Sequence, residues 1–269
     1  MNKMTLDEIR TSQLEMLDKF DAVCRENNIR YTLAGGTLLG AIRHNGYIPW
    51  DDDIDVMVPW SDYKKILGLR KSFETDKFQL FTPYDKNLLP FPYIKMCDMT
   101  TKLIEFPKTK SIDYHVYIDI FPCHGLPIDI DENNHFFDKG IQLDKKFALL
   151  TLGKYNKKYG SFLRRLLWFF LDLFSKIYTP AKIMRKIEEL SSTYSFDESK
   201  FVGNMYCGQG KKERIHRTSF ELTEHTFEGR QYKIMVGYDE YLTNLYGNYM
   251  QLPPKEQQIL KHDFVAYKI

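Results

Sequence analysis

No stretch of this chain reaches the roughly 18 apolar residues needed to span a bilayer, and the polar segment Met1 to Arg10 lacks the apolar core of a signal peptide. Neither a membrane span nor secretion by a recognisable route is expected. Cysteine is scarce: Cys24, Cys97, Cys123 and Cys207 are scattered without close pairs, which argues against a disulfide framework or a zinc site and points to a reducing, cytoplasmic setting. An excess of one charge is also missing. With 38 basic and 36 acidic residues the formal net charge is +2, so there is no global case for a nucleic-acid partner, and any basic surface must be local. Low-complexity tracts and internal repeats are absent too. What the chain has is material for a core: 269 residues, 43% hydrophobic, enough for one large domain or a domain with a sizeable insertion.

The most informative stretch runs from Leu33 to Val58. Ile29 to Ala34 reads as a strand that stops at Gly35-Gly36, where positive φ is available and no side chain blocks an approaching anion. Thr37 is placed to cap a short helix that runs from there through roughly Ala41 to His44, which would turn free N–H groups into the same gap. After Asn45-Gly46 and Pro49 comes Asp51-Asp52-Asp53-Ile54-Asp55. The run Asp53 to Val58 alternates as a strand does, with Asp53, Asp55 and Met57 on one face. Two carboxylates held that close repel, and hard oxygen donors of this kind suit Mg²⁺ or Mn²⁺. Asp52 falls off the Asp53 face, and Asp51 joins it only if the strand begins early. The alternative is a solvated turn, where Asp/Gly clusters are common.

Elsewhere the pattern predicts α with mixed β. Leu6, Ile9, Leu14, Leu17 and Phe20 recur at helical spacing, Ser61 is set to cap a helix through about Leu69, and Lys77 to Thr82 reads as a strand. Tyr93 to Met96 and Lys102 to Phe106 flank Asp98-Met99-Thr100-Thr101 as a hairpin, and Val116 to Phe121 is a strand ended by Pro122. On it, Asp119 faces opposite to Ile118 and Ile120. Three helices are expected at Phe136 to Leu152, Phe162 to Tyr178 and Lys182 to Tyr194. The segment 162–174 is the most apolar, and Lys154, Lys157, Lys158, Arg164 and Arg165 lie upstream of or within it. It fits a membrane-surface helix, and a buried core or dimer helix accounts for the same pattern. Then come a hairpin at Thr226 to Val236 with Glu228 in a structural turn, a helix from Tyr238 to about Tyr246 ended by Pro253-Pro254, and a surface histidine, His262.

The string Leu33-Ala-Gly-Gly-Thr-Leu-Leu-Gly-Ala-Ile-Arg-His44 followed by Gly46-Tyr-Ile-Pro-Trp-Asp-Asp-Asp-Ile-Asp-Val56 closely resembles the LicD family of phosphocholine transferases. Tyr117 to Pro122, Gly125 to Pro127, Phe227 to Gly229, Tyr238 to Leu242, Leu245 to Gly247 and Leu252 to Pro254 extend the resemblance in order. It implies an α+β fold with a nucleotidyltransferase-like mixed sheet over 1–130, a helical insertion over 131–200 and a C-terminal part, 201–269, packing back on the core.

The activity implied is transfer of phosphocholine from CDP-choline to a sugar hydroxyl of a glycan precursor, teichoic acid or lipopolysaccharide in type and lipid-linked, at the inner face of the membrane. Asp53 and Asp55 would hold Mg²⁺ or Mn²⁺, with Asp119 as the third carboxylate and Asp113 in reserve. Gly35, Gly36 and Thr37 would line the diphosphate, with Arg43 or Lys95 neutralising a phosphate. Trp50 and Tyr47, the aromatics nearest the acidic cluster, are the first choices for the choline cation. Relatives that transfer ribitol phosphate or mannosyl phosphate, or a silent binding module that keeps the fold, are the alternatives.

Overall fold

The computed structural model describes residues 1–85, 89–105, 113–156, 179–206, 209–260 and 262–269. The expected helix at Phe162 to Tyr178, with Lys157, Lys158, Arg164 and Arg165, and Cys207 lie outside the described residues, while Lys154 falls in the helix over 130–156.

Strand β1 (Asn2–Lys3) leads into helix α1 (Leu6–Glu26), which opens on a capping box: the Thr5 hydroxyl accepts the Glu8 amide and the Glu8 carboxylate accepts the Thr5 amide. One apolar face of α1, including Ile9, Met16, Leu17 and Phe20, is buried, as its spacing predicts. There follow β2 (Thr32–Leu33), α2 (Gly35–His44), β3 (Asp55–Pro59), α3 (Trp60–Gly68), α4 (Arg70–Phe73), β4 (Phe78–Phe81), β5 (Ile94–Glu105) and β6 (Asp113–Leu126). Helices α5 (Ile130–Asn156) and α6 (Pro180–Ser191) come next, then β7 (Phe201–Gly203), β8 (Ile215–His216), the hairpin β9 (Leu222–Phe227) and β10 (Arg230–Met235), α7 (Tyr238–Tyr246) and β11 (Phe264–Lys268).

The main sheet runs β1-β11-β5-β6-β3-β2, with β4 beside β5 and β7 joining β6 to β8; β3 and β6 are parallel and the other pairs antiparallel. This is the mixed sheet of an α+β fold. Its core takes in apolar residues from Met4 to Cys123 and from Phe196 to Ala266, whereas Leu126, Phe136, Phe137, Phe147, Ile183, Met184, Ile187, Met205 and Tyr206 form a second cluster around α5 and α6. Among the described residues no helix is long and apolar enough to cross a membrane.

Several local expectations are corrected. The strand before the glycines is only Thr32–Leu33, because Arg30 is drawn aside to Asp62 at 2.6 Å. Helix α2 begins at Gly35, so Thr37 lies inside its first turn and does not cap it. Pro59, not Ser61, precedes α3; the Ser61 hydroxyl instead meets Asp197 and accepts from Arg30. The hairpin expected at 98–101 is an irregularity within one long strand, β5, since the Thr101 hydroxyl donates to the Asp98 carbonyl and accepts the Val116 amide across to β6. Pro122 does not end β6, which continues past it to pair with β7 through His124 to Leu126. Helix α7 closes at Gly247, well before Pro253-Pro254, and Glu228-Gly229 form the hairpin turn itself.

Behind α7 a carboxylic acid is buried. Glu213 is 4% exposed; its Oε1 accepts the Gln209 amide at 3.1 Å, and among the described residues Oε2 meets no hydrogen-bond partner. Burial pushes its pKa up to about 7. A folded-state pKa above the unfolded value means that this group is tolerated best when protonated. The contribution of this group to stability is therefore most favourable below about 4.5 and declines as the pH rises from there to about 7. Glu213→Gln is expected to stabilise the protein at pH 8 by on the order of 2–3 kcal/mol, with the gain fading towards pH 4.5, as read from denaturant midpoints across pH.

Candidate active site

The site lies at the edge where β3, β6 and β5 run side by side. Asp55, the first residue of β3, sits opposite Asp119 in the parallel register, and Asp119 sits opposite Lys95 in the antiparallel one. Asp55, Asp119 and Lys95 thus occupy one row across three strands. The Asp119 amide donates to the Ile54 carbonyl at 2.8 Å, which continues the ladder up to the Asp51–Asp53 loop.

That loop is pinned from two sides. From α1, the Arg10 guanidinium donates to the carbonyls of Ile48 at 3.0 Å, Pro49 at 3.0 Å and Asp51 at 2.7 Å, and Gln13 Nε2 donates to the Asp52 carbonyl at 2.8 Å. From the C-terminal segment, His262 Nδ1 is 2.6 Å from Asp52 Oδ1, and its Nε2 is 3.8 Å from Asp53 Oδ2. Asp52 is 2% exposed and turned into this pair, off the face of Asp53. The hydrogen bond to Asp52 holds the His262 pKa up at about 9, against the pull of burial. His262 is therefore not the plain surface histidine that its sequence neighbourhood suggests.

A cleft of about 690 Å³ opens at the Asp55 end of the row, with Asp119 and Lys95 behind its wall, and is lined by Asp51, Asp53, Asp55, Arg43 and Trp50, with Tyr246 and His262 arriving from the C-terminal part. Burial raises the pKa of Asp53 and raises that of Asp55 well above its ordinary value. The surrounding carboxylates push the same way: Asp53, Asp119 and Asp51 on Asp55, and Asp52 and Asp119 on Asp53. Asp119, raised by burial and held down by Lys95, has its counter-ion at 2.5 Å. The cleft thus carries more negative charge than its own cations balance, and its donors are hard carboxylate oxygens. That chemistry fits a divalent cation such as Mg²⁺ or Mn²⁺. Among the described residues, one trio has donor atoms all within 4.8 Å of one another, namely Asp52, Asp53 and His262.

The glycine pair meets this charge in an unexpected way. Gly35 has φ +51°, and a Cβ there would stand 2.9 Å from Asp55 Oδ2; a Cβ on Gly36 would stand 2.6 Å from Asp51 Oδ2. The anions that approach the head of α2 without a side chain in the way are thus the protein's own carboxylates. The Thr37 hydroxyl accepts the Asp55 amide at 2.9 Å, which fixes the start of β3 against α2. Gly35→Ala combines a strained φ with displacement of Asp55, so turnover is expected to fall by about 10²-fold, the scale set by misplacing a reacting group by about 1 Å. Steady-state kinetics beside a melting curve would check it.

The remaining expected residues divide. Gly36, Arg43, Trp50, Asp53 and Asp55 reach the cleft. Arg43 also braces it, donating to the Tyr249 carbonyl at 2.7 Å. Lys95 is 1% exposed and stands beside Asp119 with its ammonium 3.5 Å from the Tyr117 ring centroid, so it serves the carboxylate row from beneath and not an incoming phosphate. Tyr47 turns inward, with Arg10 over its ring at 4.7 Å, Phe227 at 5.1 Å and its hydroxyl on Gln13 Oε1 at 3.0 Å, so it offers the cleft no aromatic face. Glu228 accepts the Tyr47 amide at 2.9 Å in a bracing role, as expected of a turn residue. Asp113 pairs with Ile104, some way down β6 from Asp119. Missed by the sequence were Arg10, Gln13 and His262, which nothing local marks because each acts on a loop far away in the chain, and Tyr246, which lies in a stretch of the resemblance but carried no assigned role.

Comparison with known proteins agrees with this geometry. Residues 28–149 match the family described as LicD/FKTN/FKRP, nucleotidyltransferase domain. The lipopolysaccharide cholinephosphotransferase LicD of Haemophilus influenzae is 31% identical over 277 residues, covering 99% of each chain. An uncharacterised protein of Rickettsia typhi is 28% identical over 130 residues, 48% of this chain and 37% of its own, and one of Rickettsia prowazekii is 45% identical over 49 residues, 18% of each. A nearly full-length relationship to LicD, together with the matched domain that contains the glycine turn and the acidic loop, shows that this chain belongs to the LicD family.

Proposed function

We propose that the chain transfers phosphocholine from CDP-choline to a sugar hydroxyl of a lipid-linked glycan precursor, of lipopolysaccharide or teichoic acid type, and releases CMP. One observation carries the reading: the end-to-end relationship to a lipopolysaccharide cholinephosphotransferase. The carboxylate row beneath the cleft supplies the matching chemistry. The acceptor oxygen forms a bond to the phosphorus that bears choline. The bond from that phosphorus to the cytidylate oxygen breaks, and CMP leaves with the electron pair. A carboxylate of the Asp53/Asp55 pair takes the hydroxyl proton.

Asp53 and Asp55 would hold Mg²⁺ or Mn²⁺ with Asp119 behind them, and the ion would neutralise charge on the donor diphosphate. Arg43 faces the diphosphate, while Gly35 and Gly36 admit the Asp55 and Asp51 carboxylates to the head of α2, and Thr37 and Lys95 hold Asp55 and Asp119 in place. Trp50 offers an aromatic face to the quaternary ammonium, and Tyr246 takes the part first given to Tyr47. A CDP-activated donor and a lipid-linked acceptor place the work at the inner face of the cell membrane.

Incubating the purified chain with CDP-choline, with other nucleotide-activated alcohols, and with Mg²⁺ or Mn²⁺ tests this by CMP release. Metal-dependent release from CDP-choline above the others is expected. A preference for an activated ribitol or sugar would overturn the choline assignment, and no release from any donor would overturn the enzymatic one.

A further inference from the structure

Twelve large apolar side chains are exposed among the described residues, and five of them fall between 246 and 260: Tyr246, Met250, Leu252, Ile259 and Leu260. The last four are each more than half exposed, Ile259 at 62%. This concentration lies along the rim of the cleft, since Tyr246 and Leu252 line it themselves, with Pro253 and Pro254 between them and the tip. The segment also returns into the site, because His262 closes on Asp52 just beyond Leu260. Its shape is held by short polar links, Gln257 amide to Pro254 carbonyl at 2.9 Å and Gln258 Nε2 to Pro253 carbonyl at 2.8 Å, which leave the apolar tips outward.

We infer that this rim seats on a lipid bilayer and so brings the cleft to the headgroup level at which a lipid-borne glycan is presented. The inference rests on the proposed acceptor class. Two features favour a bilayer over a second protein. The apolar tips are separated by Asn248, Gln251, Gln257 and Gln258 and by the charged pair Lys255 and Glu256, a mixture that suits shallow insertion at an interface and not a continuous packed patch. A protein seated here would also cover the mouth through which a glycan must enter, whereas a membrane carries the glycan with it.

The test is flotation of the full-length protein with vesicles of phosphatidylethanolamine and phosphatidylglycerol, beside acceptor-independent CMP release from CDP-choline. The parent is expected to float. Ile259→Ser/Leu260→Ser is expected to lower the bound fraction about tenfold or more while donor turnover stays within about twofold, as neither residue lines the cleft. Met250→Ser serves as an independent variant and is expected to weaken flotation in the same direction. A parent that stays at the bottom of the gradient, or a double variant that floats like the parent, overturns the inference. So does a parent dimer in size-exclusion chromatography that the double variant dissolves without any vesicle binding. Failure of both proteins to release CMP would count against the proposed function and leave the flotation result readable.

Discussion

Asp53→Asn and Asp55→Asn are each expected to lower metal-dependent phosphocholine transfer by about 10³-fold or more and to leave the protein folded, with a melting temperature no lower than the parent's. The activity loss follows from what the reaction asks of the site. Displacement at phosphorus leaves the protein little covalent work, so positioning and charge neutralisation carry the rate, and one donor aimed at developing charge is worth on the order of 10²–10³. Removing a carboxylate that both holds the cation and stands ready for the acceptor proton takes away two such contributions at once.

The stability side has the opposite sign. Burial raises the proton affinity of both Asp53 and Asp55, and neighbouring carboxylates add to it, Asp53 and Asp119 on Asp55 and Asp52 and Asp119 on Asp53, so in the absence of metal their charges oppose folding. The amide is nearly the same shape without the charge. Adding Mg²⁺ or Mn²⁺ should raise the melting temperature of the parent, because a ligand that binds only the folded state stabilises it, and should do so far less for either variant. Melting curves with and without metal, beside CMP release, would check both halves. Wild-type turnover in both variants with metal present would remove these residues from the mechanism.

The part of this site that was legible in the sequence is the part written in consecutive residues. The period-two alternation read over Asp53 to Val58 holds only from Asp55, where β3 begins, and Asp53 stays in the loop before it; the isolated acid between Ile118 and Ile120 marks Asp119, which the parallel register brings opposite Asp55. The amphipathic spacing of α1 and the span of α7 were equally plain. What local pattern could not supply was the use made of each feature by distant chain. Gly35-Gly36 signals room for an anion, yet only the fold shows that Asp51 and Asp55 occupy that room. Tyr47 is near the acidic loop in sequence, and Arg10, Gln13 and Phe227 draw it into the core. His262 is 210 residues from Asp52, and no neighbour of either announces the pair. The turn-like string Asp98 to Thr101 misled for a related reason: Thr101 spends its hydroxyl on β6, so the chain runs on as strand.

Lys95→Met is expected to destabilise the fold by about 3–5 kcal/mol, the cost of leaving one member of a buried ion pair without its partner. Lys95 is 1% exposed and Asp119 6%, and their charged atoms are 2.5 Å apart. The aromatic rings around the ammonium, Tyr117 at 3.5 Å and Phe91 at 4.5 Å from it, exclude water that could otherwise solvate the abandoned carboxylate. Asp119 also faces Asp53 and Asp55, so losing the lysine charge raises the repulsion across the whole row. Methionine fills a similar volume, which keeps cavity formation out of the comparison.

The double variant Lys95→Met/Asp119→Asn should recover much of the loss, because it removes the orphaned charge while keeping the packing. The activity of that double variant then separates two roles for Asp119. Near-parental turnover would make Asp119 a structural companion of Lys95. A deficit of about 10²-fold or more beyond that of Lys95→Met alone, in a protein restored to parental stability, would place its carboxylate at the cation.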